Sequence, residues 1–250
     1  MSIELQRHGA VLEVRLARPP VNALTPELLL ALRAAVEAAP GQGARGIVLT
    51  GGEKVYSGGM DVPHLMSLQR QPLIDAWATL FAAARAIAGS ALPVVAAIGG
   101  HAPAGGCVLA LCCDYRVMAS GPFRIGLNEV QVGLVAPDAI QYLLRRAVGT
   151  ARAERLLVAG ALVESAQAQA LGLVDELAEQ SQVLARSIAW LEDLLQRPAT
   201  AMQATRRIAR ADVVAALAAF DDRELEGFID DWYAPDTQAA LQALLARLKK

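Results

Sequence analysis

Two short segments constrain the fold of this chain more than any others: GIVLT at 46–50 and PVVAAI at 93–98. Each is apolar from end to end, the pattern of a strand buried on both faces of a parallel sheet. Each then enters a glycine-punctuated loop, GGEKVYSGGMD at 51–61 and the stretch from Gly99 to Gly106. Parallel strands need a long crossover, and a helical periodicity over about 64–88 supplies one between them. A mostly parallel α/β arrangement follows.

The flanking segments extend this pattern. Ile3 to Leu5 and Val11 to Leu16 read as strands paired around a His8-Gly9 turn. Thr25 has the chemistry of a helix N-cap and Pro26 suits the first helical position, with Leu28, Leu29, Leu32 and Val36 forming an apolar face. A helix from Gly106 to about Cys112 and a strand from Tyr115 to Met118 come next. Beyond Pro137 helical periodicity dominates, over 138–147, 151–159, 165–171, 180–195, about 199–227 and 235–249, with 173–177 the one extended piece. These segments predict an α/β core at 1–195 and a helical region at 196–250 that packs on the core or on a neighbouring subunit.

Composition narrows the function classes. Hydrophobic residues make up 54% of the 250 and charged residues 19%, enough for a large core with apolar surface to spare. A net charge of −2 offers neither a nucleic-acid surface nor a polybasic membrane anchor. The longest apolar run, about 102–113, is too short for a membrane span and is broken by Pro103, Gly105 and Gly106. MSIELQRHGAVLEV has neither a signal nor a transit pattern, so a soluble cytoplasmic protein is expected. Cys107, Cys112 and Cys113 lack zinc-like spacing and read as small buried hydrophobes; no metal is expected.

Three elements carry chemistry. In YSGGMD at 56–61, glycines after a buried strand let the backbone approach a ligand or simply make a strand-to-helix turn. In HAPAGGCVLALCCD at 101–114, Gly105 and Gly106 open an apolar helix, where free N–H groups bind an oxyanion, or where glycine only permits tight packing. Together the two loops can each give one N–H to the same carbonyl oxygen. The third is GLNEVQVGLVAP at 126–137, where Glu129 stands between Leu127, Val130, Val132, Leu134 and Val135. It is either an exposed loop carboxylate or a base in an apolar cavity wall, where desolvation raises its pKa.

These segments, with PPVNAL (19–24) and GIVLTGG (46–52), resemble the crotonase, or enoyl-CoA hydratase/isomerase, superfamily over essentially the whole chain. The resemblance is nearest to mitochondrial-type Δ3,Δ2-enoyl-CoA isomerases, through Gly126-Leu127-Asn128-Glu129, Pro103 to Cys107 and the tail 236–250. It implies a crotonase (ClpP-like) α/β spiral of ββα units with an α-helical C-terminal region, assembled as a trimer or dimer of trimers. It further implies an acyl-CoA thioester substrate in fatty-acid β-oxidation and no separate cofactor. The family's oxyanion-hole N–H groups fall on Met60 and Gly105, and the isomerase base on Glu129. The backbone lining the CoA pocket corresponds to Pro20, Val21 and Asn22 with Ser57 and Gly58.

One departure is informative. Hydratases of the superfamily carry a second glutamate after the glycine-glycine-cysteine motif, where this chain has Val108. Hydration needs two carboxylates to hold a water, whereas isomerisation needs one base. The resemblance therefore favours isomerisation over hydration; another crotonase reaction on acyl-CoA, such as hydrolysis or decarboxylation, and idle acyl-CoA binding stand as the alternatives. Other residues carry weaker signals. His101 is expected to support its loop by a hydrogen bond, with ligand contact as the alternative. His64 is expected at the surface or in a cap, and Asp61 and Asp114 are expected to hold loops. Trp77, Phe81, Tyr142 and Phe228 are candidates for an acyl tunnel or for core packing. Arg145, Arg146, Lys249 and Lys250 are candidates for CoA phosphates or for solvated helix faces.

Overall fold

The computed structural model describes residues 2–248. Strands β1 (Ile3–His8) and β2 (Val11–Leu16) form the expected antiparallel hairpin, followed by helix α1 (Pro26–Ala38), whose N-cap Thr25 accepts the Leu28 N–H at 3.3 Å. Then come β3 (Gly46–Thr50), a short α2 (Val62–Leu65), α3 (Arg70–Ala88), β4 (Val94–Ile98), β5 (Ala102–Pro103), α4 (Gly105–Leu111), β6 (Tyr115–Ala119) and β7 (Arg124–Gly126). A 3-10 turn at Glu129–Val132 leads into α5 (Asp138–Val148) and α6 (Thr150–Ala159). The rest is β8 (Val163–Glu164), α7 (Ser165–Leu171), β9 (Glu176–Ala178), α8 (Val183–Leu194), α9 (Ala199–Ala209), α10 (Ala211–Ala219), α11 (Asp222–Trp232) and α12 (Pro235–Leu248).

The main sheet has the order β1-β2-β3-β4-β6-β9, parallel from β2 onward. Side chains alternate across it, so both faces must be covered. Ile47 and Leu49 enter the large core under α1, α3 and α4, while Val48, Val95 and Val117 pack with Val183 and Leu191 of α8. A second, thinner layer runs alongside, made of the parallel bridges Leu24 to Met60 and Val55 to His101 and the small sheet β5-β7-β8. Main-sheet strand, short second-layer strand, then helix: this is the ββα spiral with a helical C-terminal region.

Three helical expectations need correction. The helix expected over 64–88 is two helices. Asp61 caps the first by accepting the His64 N–H, and Ser67 donates its hydroxyl to His64 O at 2.6 Å, ending that helix before Gln69 restarts the chain in extended geometry. The helix expected over 199–227 is three. The guanidinium of Arg210 is drawn inward to Cys112 O at 2.6 Å, and Asp221 recaps the chain by accepting the Arg223 and Glu224 N–H groups. The segment 180–195 begins as a 3-10 turn before α8.

Helix α10 packs on α3 and α5, α11 on α3, and α12 on α2 and on the turn carrying Glu129. No helix among the described residues is long and apolar enough to cross a membrane. Lys249 and Lys250 lie outside the described residues.

Candidate active site

The two glycine loops are joined by the Val55–His101 bridge, in which His101 donates its N–H to Lys54 O at 3.0 Å and accepts the Tyr56 N–H at 2.9 Å; the 19–24 segment pairs with the end of the first loop. Leu24 pairs with Met60 by donating its N–H to Gly59 O at 2.8 Å and accepting the Asp61 N–H at 3.1 Å. In such a parallel bridge the groups of the central residue point away from its partner. The Met60 N–H therefore faces the other way and finds no acceptor among the described residues. Gly105 begins α4, so its N–H precedes the helical ladder, and it too finds no acceptor there. A Cβ on Gly105 would sit 3.4 Å from Met60 N and 2.9 Å from Leu24 Cδ1, and one on Gly59 would sit 3.2 Å from Gly105 N. Only glycines let the loops close to this distance, and the two free N–H groups lie beside each other.

The approach is held rigidly. Ala104, immediately before Gly105, has φ +47° and ψ −120°, a strained geometry for a residue with a Cβ. Bonds from Ala104 N to Gly126 O at 2.9 Å and from Val108 N to Ala104 O at 3.0 Å hold it there. On the other loop, buried Asn22 accepts the Arg18 N–H at 2.8 Å and donates to Tyr56 O at 3.1 Å. Ser57 donates to Asn22 O at 2.9 Å and accepts the Gly59 N–H at 3.2 Å. Asp61 caps α2 and takes an ion pair from Arg18 at 2.7 Å.

Met60 and Gly105 both line a cavity of about 590 Å³. Glu129 is on its wall, as are Val132, Leu134 and Val108, which is 2% exposed. Leu127, Val130 and Val135 line a separate hollow of about 180 Å³ on the other side of Glu129. The carboxylate oxygen Oε2 is sealed from solvent with no hydrogen-bond partner among the described residues. Burial pushes the Glu129 carboxyl up to about 7, outweighing the lowering by its own backbone N–H. The other carboxylate on the wall, Asp61, is already paired with Arg18. The turn carrying Glu129 ends at Gly133, whose φ is +76° and whose carbonyl accepts the Thr237 hydroxyl of α12 at 2.7 Å. Leu244 brings the same helix to the cavity wall, so α12 closes the site of its own chain.

The other candidate residues divide by position. Val21 and Gly58 line the cavity. Asn22 and Ser57 are buried behind it, and Pro20 is exposed outside it. Trp77, Phe81 and Phe228 line the cavity, with Phe228 edge-on to Trp77 at 4.8 Å. Tyr142 donates to Asp212, Arg145 pairs with Asp138 and Arg146 with Asp212, all away from the site. Asp114 holds the Val94 N–H and Arg206, a structural role. His64 is exposed near the α2 cap. The sequence reading missed Asn128, whose Oδ1 is buried without a partner on the same wall, and the Arg18–Asp61 pair at the rim. Asn128 was readable as a polar residue in an apolar stretch; nothing local marks Arg18.

Two residues whose backbone N–H groups are unpartnered among the described residues and one desolvated carboxylate thus line the same apolar cavity. The chain matches the enoyl-CoA hydratase/isomerase family over residues 6–249. It is 31% identical over 251 residues to human mitochondrial enoyl-CoA delta isomerase 1, covering 99% of this chain and 83% of that protein. The crystal structure of human mitochondrial Δ3-Δ2-enoyl-CoA isomerase superposes with a TM-score of 0.95 at 30% identity, covering 100% of this chain and 98% of that one. A probable enoyl-CoA hydratase, EchA17 of Mycobacterium tuberculosis, is 34% identical over 195 residues, 76% of this chain and 73% of that protein. The chain belongs to the enoyl-CoA hydratase/isomerase family, the crotonase superfamily.

Proposed function

We propose that this protein isomerises cis- or trans-3-enoyl-CoA to trans-2-enoyl-CoA in fatty-acid β-oxidation. The observation that carries the reading is the cavity's carboxylate count. Among the described residues on the wall, Glu129 is the single carboxylate without a cation, and the wall position at which the family's hydratases carry a second glutamate is Val108. In this reading the Met60 and Gly105 N–H groups take the thioester oxygen. Ionised Glu129 removes a proton from C2, and electrons shift from the C2–H bond into a dienolate whose charge rests on that oxygen. The same carboxylic acid then returns the proton at C4, and the double bond settles between C2 and C3. No water is consumed and no redox change occurs, so the residues themselves suffice without a cofactor.

A carboxyl with a pKa of about 7 suits both halves of this shuttle, because it loses and regains a proton at little cost near neutral pH. The trimeric or hexameric assembly, the cytoplasmic location and the division into a core at 1–195 and a helical region at 196–250 belong to the same proposal. Hydration is the rival, since a hydratase is among the similar proteins. Wild-type enzyme given 3-enoyl-CoA and, separately, 2-enoyl-CoA separates the two. Isomerisation is expected to exceed hydration by at least ~100-fold, the range of one missing acid/base group. Hydration at the faster rate would sink the isomerase reading.

A further inference from the structure

His101 has two nitrogens with different fates. Its backbone is fixed on both sides, donating to Lys54 O at 3.0 Å and accepting from the Tyr56 N–H at 2.9 Å. Its ring packs edge-on to Phe123 at 5.6 Å, and Nδ1 accepts the backbone N–H of Arg124 at 3.0 Å. A backbone N–H can only donate, so Nδ1 must present its lone pair, and in the neutral ring the proton sits on Nε2. Nε2 has no partner among the described residues, yet it is not among the atoms sealed from solvent. His101 lies on the wall of the catalytic cavity beside Val55, at the rim, where Lys54 and Arg124 are exposed. The loop-supporting bond expected from the sequence is present, and it leaves a fixed, unused donor on the other edge of the ring.

The position matches one acceptor on the substrate. Only the two residues of β5, at ~3.3 Å each, separate His101 from the strained turn at Ala104 that presents the Gly105 N–H. On a coenzyme A thioester the next acceptor outward from the thioester carbonyl is the first amide carbonyl of the thiol arm, two methylenes and a nitrogen beyond the sulfur. We infer that His101 is a substrate-binding residue whose Nε2–H donates to that amide carbonyl, aligning the thioester on the Met60 and Gly105 N–H groups. This rests on the acyl-CoA reading of the site, but not on the isomerase step.

Binding of three saturated octanoyl thioesters, measured calorimetrically, tests it without turnover. Octanoyl-CoA and octanoyl-N-acetylcysteamine carry the amide; S-propyl octanethioate does not. His101→Asn keeps an acceptor near the Nδ1 position and loses the distal donor, whereas His101→Gln places an amide donor near the Nε2 position. His101→Asn is expected to weaken both amide-bearing ligands about tenfold, the net worth of one hydrogen bond, and to leave the S-propyl thioester unchanged. His101→Gln should recover most of the loss. Unchanged binding of all three, or an equal loss on the S-propyl thioester, would overturn the assignment. Wild-type protein that binds octanoyl-CoA but does not isomerise 3-enoyl-CoA would overturn the isomerase reading alone, and wild-type protein that does not bind octanoyl-CoA would overturn both.

Discussion

The two halves of the site are built in opposite ways. Around Met60 and Gly105 nearly every polar group is spoken for: Asn22, Ser57, Asp61 and Arg18 bond the loop from several directions, and Ala104 is held in strained geometry. Around Glu129 the turn's backbone is anchored, but the functional side chains are not, for the buried oxygen of Glu129 and that of neighbouring Asn128 are both unpartnered among the described residues. The difference follows from what each half must do. Donors that stabilise developing charge work best when they cost no reorganisation, so they are fixed in advance. A base that takes a proton at one carbon and returns it at another needs an apolar setting that raises its pKa and no ion pair that would hold it ionised.

This contrast predicts opposite responses to substitution. Asn22→Ala removes a buried side chain that bonds three backbone groups and leaves alanine at φ +48°, a left-handed geometry that asparagine tolerates better. A loss of about 2–4 kcal/mol in stability is expected, with a fall in kcat, read by denaturant unfolding and steady-state kinetics. A variant as stable as wild type would erase the distinction between the two halves.

Glu129→Gln should move stability the other way, in a pH-dependent manner. Between about pH 4.5 and pH 7 the unfolded carboxyl has lost its proton while the folded one keeps it. Wild-type stability therefore falls as pH rises through that window and levels off above it. A shift from 4.5 to about 7 corresponds to roughly 3 kcal/mol at most. The variant, lacking the titration, should show no such fall, and parallel pH curves for the two proteins would refute the desolvated-base description.

The frame was legible in the chain because buried parallel strands are short apolar runs, as at 46–50 and 94–98, and because Thr25-Pro26 is strong capping chemistry. The small second-layer sheet was not, since strands of two or three residues such as β5, β7 and β8 are too short to show a period. Helix boundaries in 199–227 were lost for two different reasons. Asp221 followed by Asp222 and Glu224 is a readable cap signal. Burial of Arg210 against the carbonyls of Cys112 and Cys113 depends on residues nearly a hundred positions away. Within the site, Glu129 stood out as a lone charge among apolar residues. The strain at Ala104 and the free edge of His101 depend on Gly126 and Arg124, which only the fold brings near.

The most direct test of the single-base account is turnover of 3-enoyl-CoA by Glu129→Gln beside its affinity for octanoyl-CoA. Removing a sole acid/base group is expected to lower kcat by at least ~1,000-fold, while octanoyl-CoA binds within about threefold of wild type because the thioester's donors are untouched. Turnover within tenfold of wild type, with binding intact, would contradict the claim that Glu129 carries the proton.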